Sequence, residues 1–356
     1  MKKTKKNSVL ISLLSVVLLL VLIVVGYVAY VFIAYYRIED NLALAVDNNS
    51  QKTVQTDTEY SIMTWNIGFG AYSDDYSFFM DGGKYSRAFS AEAVDENVSE
   101  MMKVVKAKNP DIAIIQEVDI GSTRSYGIDE REIVYDYLPG YASVFAQNYD
   151  SSYLFYPILS PHGKSRSGIM TETKFNILNA TRRSLPVESG FTKLLDLDRC
   201  YSVSYLPVSD GKTLCVYNMH LSAYTTDGTI ATEQLQMLVE DMQAEYSKGN
   251  YIICGGDFNK DLLGNSSEVF GVSGEDLTWA QPIPDGVIPD WLTLVACSNA
   301  PSCRNADRPY DDTNFVLTID GFLVSGNIDV VTAEVIDEAF AHSDHNPVIM
   351  QFKLKG

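Results

Sequence analysis

The sequence has few basic residues for its size. It carries 27 Lys and Arg against 46 Asp and Glu, which gives a formal charge of −19. Residues 1–37 hold five basic and no acidic side chains, so the remainder of the chain carries −24, five units below the whole. A domain with this charge repels polyanions at long range. Non-specific nucleic-acid binding is therefore disfavoured, whereas an enzyme that cuts nucleic acid at one metal site is not excluded.

Histidine and cysteine are also scarce, with four and five residues in the chain. No group of them has the spacing of a zinc site. Cys200, Cys215 and Cys254 lie in apolar, strand-like runs, which is typical of small buried side chains. Cys297 and Cys303 flank a loop-like segment, and their spacing is compatible either with a disulfide or with two free thiols.

Charge is missing altogether between Val9 and Ala34, and four lysines precede this run. About 20 apolar residues are enough to cross a bilayer, and this run is longer. The alternative is a signal peptide cleaved near residues 43–45, but signal peptides usually have an apolar core of only about 7–15 residues. The lysines favour a cytoplasmic N-terminus. We therefore expect a single-pass anchor in the cell membrane, with the rest of the chain extracellular.

Composition divides the chain into four parts. We predict a basic cytoplasmic N-terminus over residues 1–8, a transmembrane anchor over 9–36, a polar linker over 37–58 and one domain over 59–356. With 46% apolar and 21% charged residues, the chain is typical of a globular protein. A flexible linker of about 20 residues spans ~25 Å, so the domain would stay near the membrane surface.

Hydrophobic periodicity predicts many strands and few helices in this domain. The predicted helices are 91–108, 129–138 and 229–248. The predicted strands are 61–68, 111–117, 141–147, 166–174, 176–184, 199–206, 213–220, 251–257, 315–324, 328–336 and 347–353. Residues 262–312 contain five prolines and are predicted to form a long excursion with short elements. This pattern favours two packed sheets flanked by helices over a single doubly wound sheet.

Polar side chains collect where the predicted strands end. These residues are Asn66, Glu117, His220, Asp257, Asn259 and Asp320, and the loop 343–346 immediately precedes the last strand. Two glycines before Asp257 let the backbone come close to a ligand. Folds of this kind build their sites from such strand ends.

Seven short blocks combine these residues in one order along the chain. They are Trp65-Asn66-Ile67, Gln116-Glu117, Ser167-Gly168-Ile169, Asn218-Met219-His220-Leu221, Gly256-Asp257-Phe258-Asn259, Ile319-Asp320 and Ser343-Asp344-His345. Together they resemble the endonuclease/exonuclease/phosphatase superfamily of DNase I-like, metal-dependent phosphoesterases. The superfamily includes secreted DNases, abasic-site endonucleases, inositol-polyphosphate phosphatases and bacterial sphingomyelinases. The resemblance implies a four-layered α/β sandwich of two packed mixed β-sheets flanked by helices, here preceded by one transmembrane helix.

A metal site is the first expectation from this resemblance. A phosphoesterase needs an oxygen-rich seat for a hard divalent cation, and Mg²⁺ requires few carboxylates because it keeps several waters. We predict Glu117 and Asp344 as carboxylate ligands and Asn66 as a neutral oxygen donor. The expected cofactor is Mg²⁺, with Mn²⁺ or Ca²⁺ as alternative ions. Read alone, Asn66 and Asp344 also suit turns.

The resemblance also implies catalytic roles. Asp257 would position or deprotonate the attacking water, and Asn259 would hold a phosphate oxygen. Asp320 would orient His345, which acts either as the general base or as a stabiliser of the transition state. His220 would donate a hydrogen bond to the phosphate.

Two further residues are expected to bind substrate. Asn218 would assist His220 at the phosphate, and Arg166 would reach a phosphate oxygen, although a surface arginine is the commoner case.

These expectations describe an outward-facing, membrane-anchored, Mg²⁺-dependent phosphoesterase. The acidic surface and the membrane anchor favour a lipid headgroup or another small phosphoester as substrate. A DNase- or RNase-type nuclease is the alternative, and a catalytically inactive surface binding protein on the same fold is the second one. No stable protein partner is evident beyond the membrane contact of the anchor. Residues 262–312 are expected to overhang the site and shape specificity.

Overall fold

The computed structural model describes residues 2–187, 197–223, 228–272 and 280–356. The helices are α1 (Lys2–Ala34), α2 (Ala91–Lys108), α3 (Glu130–Tyr137), α4 (Thr229–Tyr246) and α5 (Ser266–Phe270). The strands are β1 (Leu42–Ala43), β2 (Glu59–Asn66), β3 (Ile112–Asp119), β4 (Ala142–Asp150), β5 (Arg166–Thr173), β6 (Asn179–Ser184), β7 (Cys200–Pro207), β8 (Thr213–His220), β9 (Tyr251–Asp257), β10 (Leu292–Val295), β11 (Cys303–Arg304), β12 (Val316–Leu317), β13 (Asp320–Ser325), β14 (Ile328–Val335) and β15 (Val348–Leu354).

Two mixed sheets contain nearly all of these strands. The seven-stranded sheet has the order β1-β6-β7-β8-β9-β13-β10, and the six-stranded sheet has the order β14-β15-β2-β3-β5-β4. Only β2 with β3 and β8 with β9 pair in parallel among the described strands. In a parallel pair both strands end at the same edge of the sheet, so the polar residues at these ends are brought together.

The sheets pack face to face through a core of aliphatic and aromatic side chains. Ile114 on β3, Val216 on β8, Ile253 on β9 and Phe322 on β13 are all fully buried in this core. Apolar residues on β3 are buried on both faces, because helices cover the outer side of the six-stranded sheet. Burial between the two sheets therefore provides one of the large hydrophobic cores of the domain.

Helices complete the outer layers. In α2 the residues Val94, Val98, Met101 and Val105 recur at helical spacing and are buried against the six-stranded sheet. In α4 a similar stripe packs on the outer face of the seven-stranded sheet. The predicted sandwich of two packed mixed sheets with flanking helices is confirmed.

The segment 37–58, expected to be a flexible linker, lies along the domain. Leu42 and Ala43 pair with β6 as an edge strand, and the backbone of Asp47 exchanges hydrogen bonds with Ser143. Val54 is fully buried. The physical reason is that this polar stretch also contains apolar residues that fit the exposed edge of the sheet, so backbone pairing outweighs chain entropy. The chain after α1 therefore has little freedom to move away from the domain.

The excursion 262–312 has short elements, as expected, over its described part. It adds β10 to the edge of the seven-stranded sheet and places β11 beside the loop that carries His345. All five cysteines lie in described ranges, and none of them forms a disulfide. Cys297 and Cys303 are thus two buried thiols rather than a bridge.

Among the described residues, α1 is the one helix that meets the length and composition of a membrane span, over Asn7–Ala34. Its apolar side chains are exposed along nearly its whole length. A membrane anchor and a signal sequence near the N-terminus both satisfy this description.

Gly256 sets how closely β8 and β9 approach. Its φ is +139°, and a Cβ at this position would overlap the carbonyl oxygen of Met219 on β8. Neither neighbouring backbone can yield without breaking the parallel pairing that positions Asp257.

We expect the Gly256→Ala substitution to lower the free energy of unfolding by about 2–4 kcal/mol, since it adds both backbone strain and a clash. Thermal unfolding of the detergent-solubilised chain, followed by near-ultraviolet circular dichroism, measures the effect. Gly326→Ala is the control, because a Cβ there lies no closer than 3.6 Å to its nearest neighbour. Equal stability of the two variants would contradict this account.

A second prediction concerns the buried carboxyl of Glu172 on β5, to which Ser143 donates a hydrogen bond. Burial, with a smaller contribution from Asp47, raises the pKa of Glu172 from 4.5 to about 8. The folded state therefore holds a proton that the unfolded state has released between these values. The contribution of Glu172 to stability is therefore largest below pH 4.5 and falls as pH rises to 8, by roughly 3–5 kcal/mol at about 1.4 kcal/mol per pKa unit.

Glu172→Gln should flatten this decline, so that its melting temperature changes less between pH 5 and pH 8.5 than that of the parent chain. The exposed Glu132→Gln provides the matched control and should retain the parent's decline. An unchanged slope in the Glu172 variant would show that Glu172 does not cause it.

Candidate active site

Three adjacent strands of the seven-stranded sheet bring ionisable residues side by side. The strand register pairs His220 at the end of β8 with Asp257 at the end of β9. It also pairs Asp257 with Asp320 at the start of β13. All three side chains are almost completely buried. Three residues paired across neighbouring strands thus place an imidazole and two carboxyl groups side by side.

The six-stranded sheet supplies the opposite wall. Asn66 at the end of β2 lies opposite Gln116, and the next residue, Glu117, sits in a β-bulge between Ile115 and Val118. Glu117 has a φ of +58°, which is unusual for a residue other than glycine. Bulges redirect side chains next to functional sites. Here the bulge lets Glu117 line the same pocket as His220 and Asp257.

His345 closes the site from the loop before β15. Its Nδ1 lies 2.8 Å from Oδ2 of Asp320, and Ser302 Oγ donates to the same oxygen at 2.7 Å. Burial opposes the charged imidazole, but the adjacent Asp320 carboxylate outweighs it and holds the pKa of His345 well above its ordinary value. The predicted orientation of His345 by Asp320 therefore matches this geometry.

Asp257 lies between the two imidazoles. Its Oδ2 is 3.4 Å from Nε2 of His220 and 3.8 Å from Nε2 of His345. Burial, with the charge of Asp320, raises the pKa of Asp257 to about 7, although His345 acts in the opposite direction. Burial and the positive charges of Arg199 and His345 lower the pKa of His220 well below its ordinary value. These shifts favour the neutral form of His220 and the charged form of His345.

Glu117 and Asp344, the two predicted carboxylate ligands, both line this pocket. Burial and the charge of Glu117 raise the pKa of Asp344 to about 6. Two carboxyl groups that line one pocket form a suitable seat for a hard divalent cation, which prefers oxygen ligands. The residues present therefore fit the metal that the sequence predicts.

Asn66 is predicted to donate its side-chain oxygen to the metal, but in the structure this oxygen is bonded to the backbone. Its Oδ1 accepts the Gly68 N–H at 3.0 Å. Its Nδ2 donates to Glu117 Oε1 at 3.3 Å and to Asp257 Oδ2 at 3.1 Å. The backbone N–H of Gly68 decides this orientation, because a reversed amide would place two donors against each other. Asn66 consequently links the two carboxylates and orients them.

Among the described residues, Asp257, Asp320 and His345 also form a compact group with metal-binding donor types. We favour a catalytic over a metal-ligating interpretation of this group. His345 Nδ1 and Ser302 Oγ already occupy Oδ2 of Asp320, and an ion there would displace the hydrogen bond that orients the imidazole.

Asn259 follows Asp257 with a φ of +48°. Its backbone N–H donates to Asp257 Oδ1 at 2.9 Å, and its Nδ2 donates to the carbonyl of Leu221 at 2.7 Å. Asn259 lines the pocket, so its predicted contact with a phosphate oxygen would come from the second amide hydrogen.

The two predicted substrate-binding residues do not line this pocket. Asn218 is fully buried below it, where Oδ1 accepts from Gln116 and Nδ2 donates to Met170 at 2.7 Å. These bonds join the two sheets. Arg166 begins β5 as an exposed side chain. Both positions have one reason: a motif places residues along a strand but does not tell which of them reach the cavity.

Arg199 is a site residue that the sequence did not reveal. It precedes β7, lines the pocket and is 5% exposed. Its NH1 lies 3.5 Å from the carbonyl of His220, and its Nε has no hydrogen-bond partner among the described residues. No spacing rule marks it, because Arg199 reaches the site only through the antiparallel pairing of β7 with β8.

Cys303 was also not predicted at the site. Its Sγ lies 3.6 Å from Nε2 of His345, and burial raises the pKa of its thiol to about 12. Together with Arg304 and Asn305 it lines one side of the pocket. The excursion 262–312 therefore reaches the pocket through residues 303–305.

Comparison with known proteins gives a consistent result. The model of the endonuclease/exonuclease/phosphatase family matches residues 63–345, a range that contains every predicted site residue. A comparison with curated protein sequences finds no significant match.

Several solved structures share the fold. The endonuclease/exonuclease/phosphatase from Beutenbergia cavernae DSM 12333 is 18% identical, with 84% of this chain and 72% of that chain covered and a TM-score of 0.58. ANGEL2, a 2′,3′-cyclic phosphatase in complex with adenosine-2′,3′-vanadate, is 17% identical over 90% of this chain and 99% of its own, with a TM-score of 0.55. D. rerio TDP2, complexed with single strand DNA product, is 16% identical over 83% of this chain and 100% of its own, with a TM-score of 0.51. The chain belongs to the endonuclease/exonuclease/phosphatase family, whose members are hydrolases of phosphoester bonds.

Proposed function

We propose that this chain is a membrane-anchored phosphoesterase that uses a divalent cation, Mg²⁺ by preference, with its catalytic domain outside the cell. One observation carries the proposal. A single pocket is lined by the carboxylates Glu117 and Asp344 on one side and by Asp257, His220 and His345 on the other. Hydrolysis of a phosphoester requires both halves, one for a metal and one for water and phosphate.

Glu117 and Asp344 would hold the cation, and Asn66 would orient Glu117 through its amide nitrogen. The bound ion supplies charge stabilisation to the phosphate oxygens. Mg²⁺ suits this set better than Zn²⁺, because the ligands are oxygens and few in number.

The other half of the pocket handles the proton and the phosphate. Asp257, held by Asn66 and the Asn259 backbone, positions the attacking water and accepts its proton. A carboxylate with a pKa near 7 is an effective general base at neutral pH. The charged imidazole of His345 stabilises the negative charge that develops on the phosphate. Water adds across one P–O bond, so that the products are an alcohol and a phosphate with one ester fewer.

Arg199 would contact a phosphate oxygen. Its guanidinium is buried at the pocket, and one nitrogen has no partner among the described residues. Leaving such a donor unsatisfied is costly unless a ligand meets it. An anionic substrate is the group that fits.

A nuclease is the second candidate. The shared fold with D. rerio TDP2, complexed with single strand DNA product, favours it. The formal charge of −19 opposes it, because a long polyanion is repelled by an acidic surface.

Removal of the Glu117 carboxylate tests both the phosphoesterase activity and its dependence on a metal ion. We expect Glu117→Gln to lower kcat/KM for bis(p-nitrophenyl) phosphate by roughly 100-fold or more and to raise the Mg²⁺ concentration needed for half-maximal activity. His345→Asn should lower kcat by a similar factor, with little effect on the Mg²⁺ requirement.

The assay uses the full chain in detergent, with plasmid DNA, RNA and sphingomyelin vesicles as further substrates. Glu334→Gln, an exposed substitution on β14, is the control and should keep full activity. If the parent chain hydrolyses none of these phosphoesters at any Mg²⁺, Mn²⁺ or Ca²⁺ concentration, the inactive binding protein is the better description.

The role of Arg199 is tested against that of Arg166. Arg199→Met should raise KM and the inhibition constant of inorganic phosphate by about 10–100-fold, because a hydrogen bond to a charged group contributes about 1.5–3 kcal/mol. Arg199→Lys should restore part of the loss. Arg166→Met should leave both constants unchanged, since Arg166 lies outside the pocket lining. If Arg166→Met raises both constants and Arg199→Met does not, Arg166 rather than Arg199 contacts the phosphate.

A further inference from the structure

An exposed apolar loop connects β4 to β5. Within residues 153–159, here called the apolar loop, four large apolar side chains stand in solvent. Phe155 is 56% exposed, Tyr156 68%, Ile158 83% and Leu159 98%. Large apolar side chains exposed this close together along the chain are typical of a binding site for an apolar partner.

The partner is indicated by what the apolar loop contacts. The Tyr27 hydroxyl of α1 donates to the carbonyl of Tyr153 at 3.1 Å, and the Tyr153 N–H donates to the Tyr30 hydroxyl at 3.1 Å. The ring of Phe155 meets that of Tyr27 edge-on, with centroids 5.1 Å apart. The loop that carries the exposed apolar side chains is therefore packed against α1, with Phe155 in direct contact with it.

The position of these contacts along α1 gives the depth of the apolar loop in a bilayer that α1 spans. Tyr27 lies seven residues before the end of α1 at Ala34, which corresponds to about 10 Å at 1.5 Å per residue. When α1 spans a bilayer, a loop at this height lies within the leaflet nearest the domain. Tyr27, Tyr30, Tyr153 and Tyr156 then supply the amphipathic rings that favour a membrane interface.

The apolar loop is also joined to the rim of the active-site pocket. Ser86 Oγ donates to the carbonyl of Ser160 at 2.5 Å, and the rings of Phe79 and Tyr156 lie 5.8 Å apart. His162 is buried in this contact, with Nδ1 2.9 Å from the carbonyl of Ser86. The segment 77–87 that makes these contacts contains Asp81, which lines the pocket.

A second connection reaches the pocket from the end of α1. Arg37 forms a 3.5 Å ion pair with Asp198 and lies 3.3 Å from the carbonyl of Leu197. Asp198 directly precedes Arg199, which lines the pocket. Two separate chains of contacts thus tie the membrane helix to the mouth of the site.

We propose that the apolar loop inserts into the leaflet beside α1 and holds the pocket open onto the membrane surface, so that the substrate is a membrane lipid with a phosphodiester headgroup. This inference rests on the proposed function and names its substrate. Hydrolysis consumes one water and yields an alcohol and a phosphomonoester, with no other co-reactant. The net negative charge of the domain favours a zwitterionic headgroup over an anionic one.

Insertion is measured by fluorescence quenching in the full chain, reconstituted into phosphatidylcholine vesicles with acyl chains brominated near the headgroup. Leu159→Trp reports on the loop, and Val24→Trp reports on α1. Leu178→Trp is the matched control, because Leu178 is another exposed leucine. It lies at the far end of β6 from Ser184, which contacts the segment after α1. The emission of the parent chain is subtracted from each variant.

Quenching at positions 24 and 159 but not at 178 supports insertion. Quenching at 24 alone overturns the loop proposal and leaves the membrane anchor standing. Absence of quenching at all three positions removes the anchor as well. Equal quenching at 159 and 178 also overturns the proposal, since the contact is then not specific to the loop.

Activity provides an independent readout. The double variant Ile158→Ser, Leu159→Ser should hydrolyse sphingomyelin or phosphatidylcholine in vesicles roughly tenfold more slowly, because less apolar surface is available for insertion. Its turnover of soluble bis(p-nitrophenyl) phosphate should be unchanged. Leu178→Ser with Val269→Ser removes exposed apolar surface elsewhere and should leave both activities at the parent level.

Equal losses on both substrates in the loop variant would assign the loop a structural role and contradict the proposal. If the parent chain hydrolyses bis(p-nitrophenyl) phosphate but neither lipid, the lipid substrate is wrong and the phosphoesterase function stands. If it hydrolyses neither class of substrate, the proposed function itself fails.

Discussion

The site depends on the burial of ionisable groups that are paired across neighbouring strands of one sheet. The pairing of β8, β9 and β13 places His220, Asp257 and Asp320 next to one another, away from water. Two adjacent buried carboxylates repel each other unless a positive charge compensates. His345 supplies that charge, at 2.8 Å from Asp320 and 3.8 Å from Asp257. The chemistry of the pocket thus requires the last loop to be held against the sheet.

Hydrogen bonds with the end of β2 hold that loop. Trp65 on β2 donates its indole N–H to the carbonyl of His345 at 2.8 Å, and Ser343 donates to the carbonyl of Asn66 at 2.8 Å. Asn66 in turn bridges Glu117 and Asp257. The packing of one sheet on the other therefore sets the distance between the two halves of the pocket. Unusual backbone at Glu117 is tolerated because rigid strands surround it.

The apolar helix α1 extends this constraint beyond the domain. Pairing of β1 with β6 and the ion pair between Arg37 and Asp198 leave the chain after α1 little room to move. These contacts join α1 to the apolar loop and, through Asp198, to the pocket-lining Arg199. Where α1 spans a bilayer, as we propose, the same contacts decide how the domain is oriented and how substrate reaches the pocket.

The sequence by itself determined the elements and the kinds of residues at their ends. Periodicity placed α2 correctly, and the apolar run 9–34 marked α1, because these patterns reflect local geometry. Glu117, Asp257 and His345 were recognisable because polar groups at the ends of buried strands need a function or a partner. Only the tertiary structure decided that Arg199 lines the pocket, that Asn66 turns its nitrogen toward Glu117 and that Arg166 remains outside. These outcomes depend on the register between strands distant in sequence and on the packing of two sheets, which no local pattern encodes.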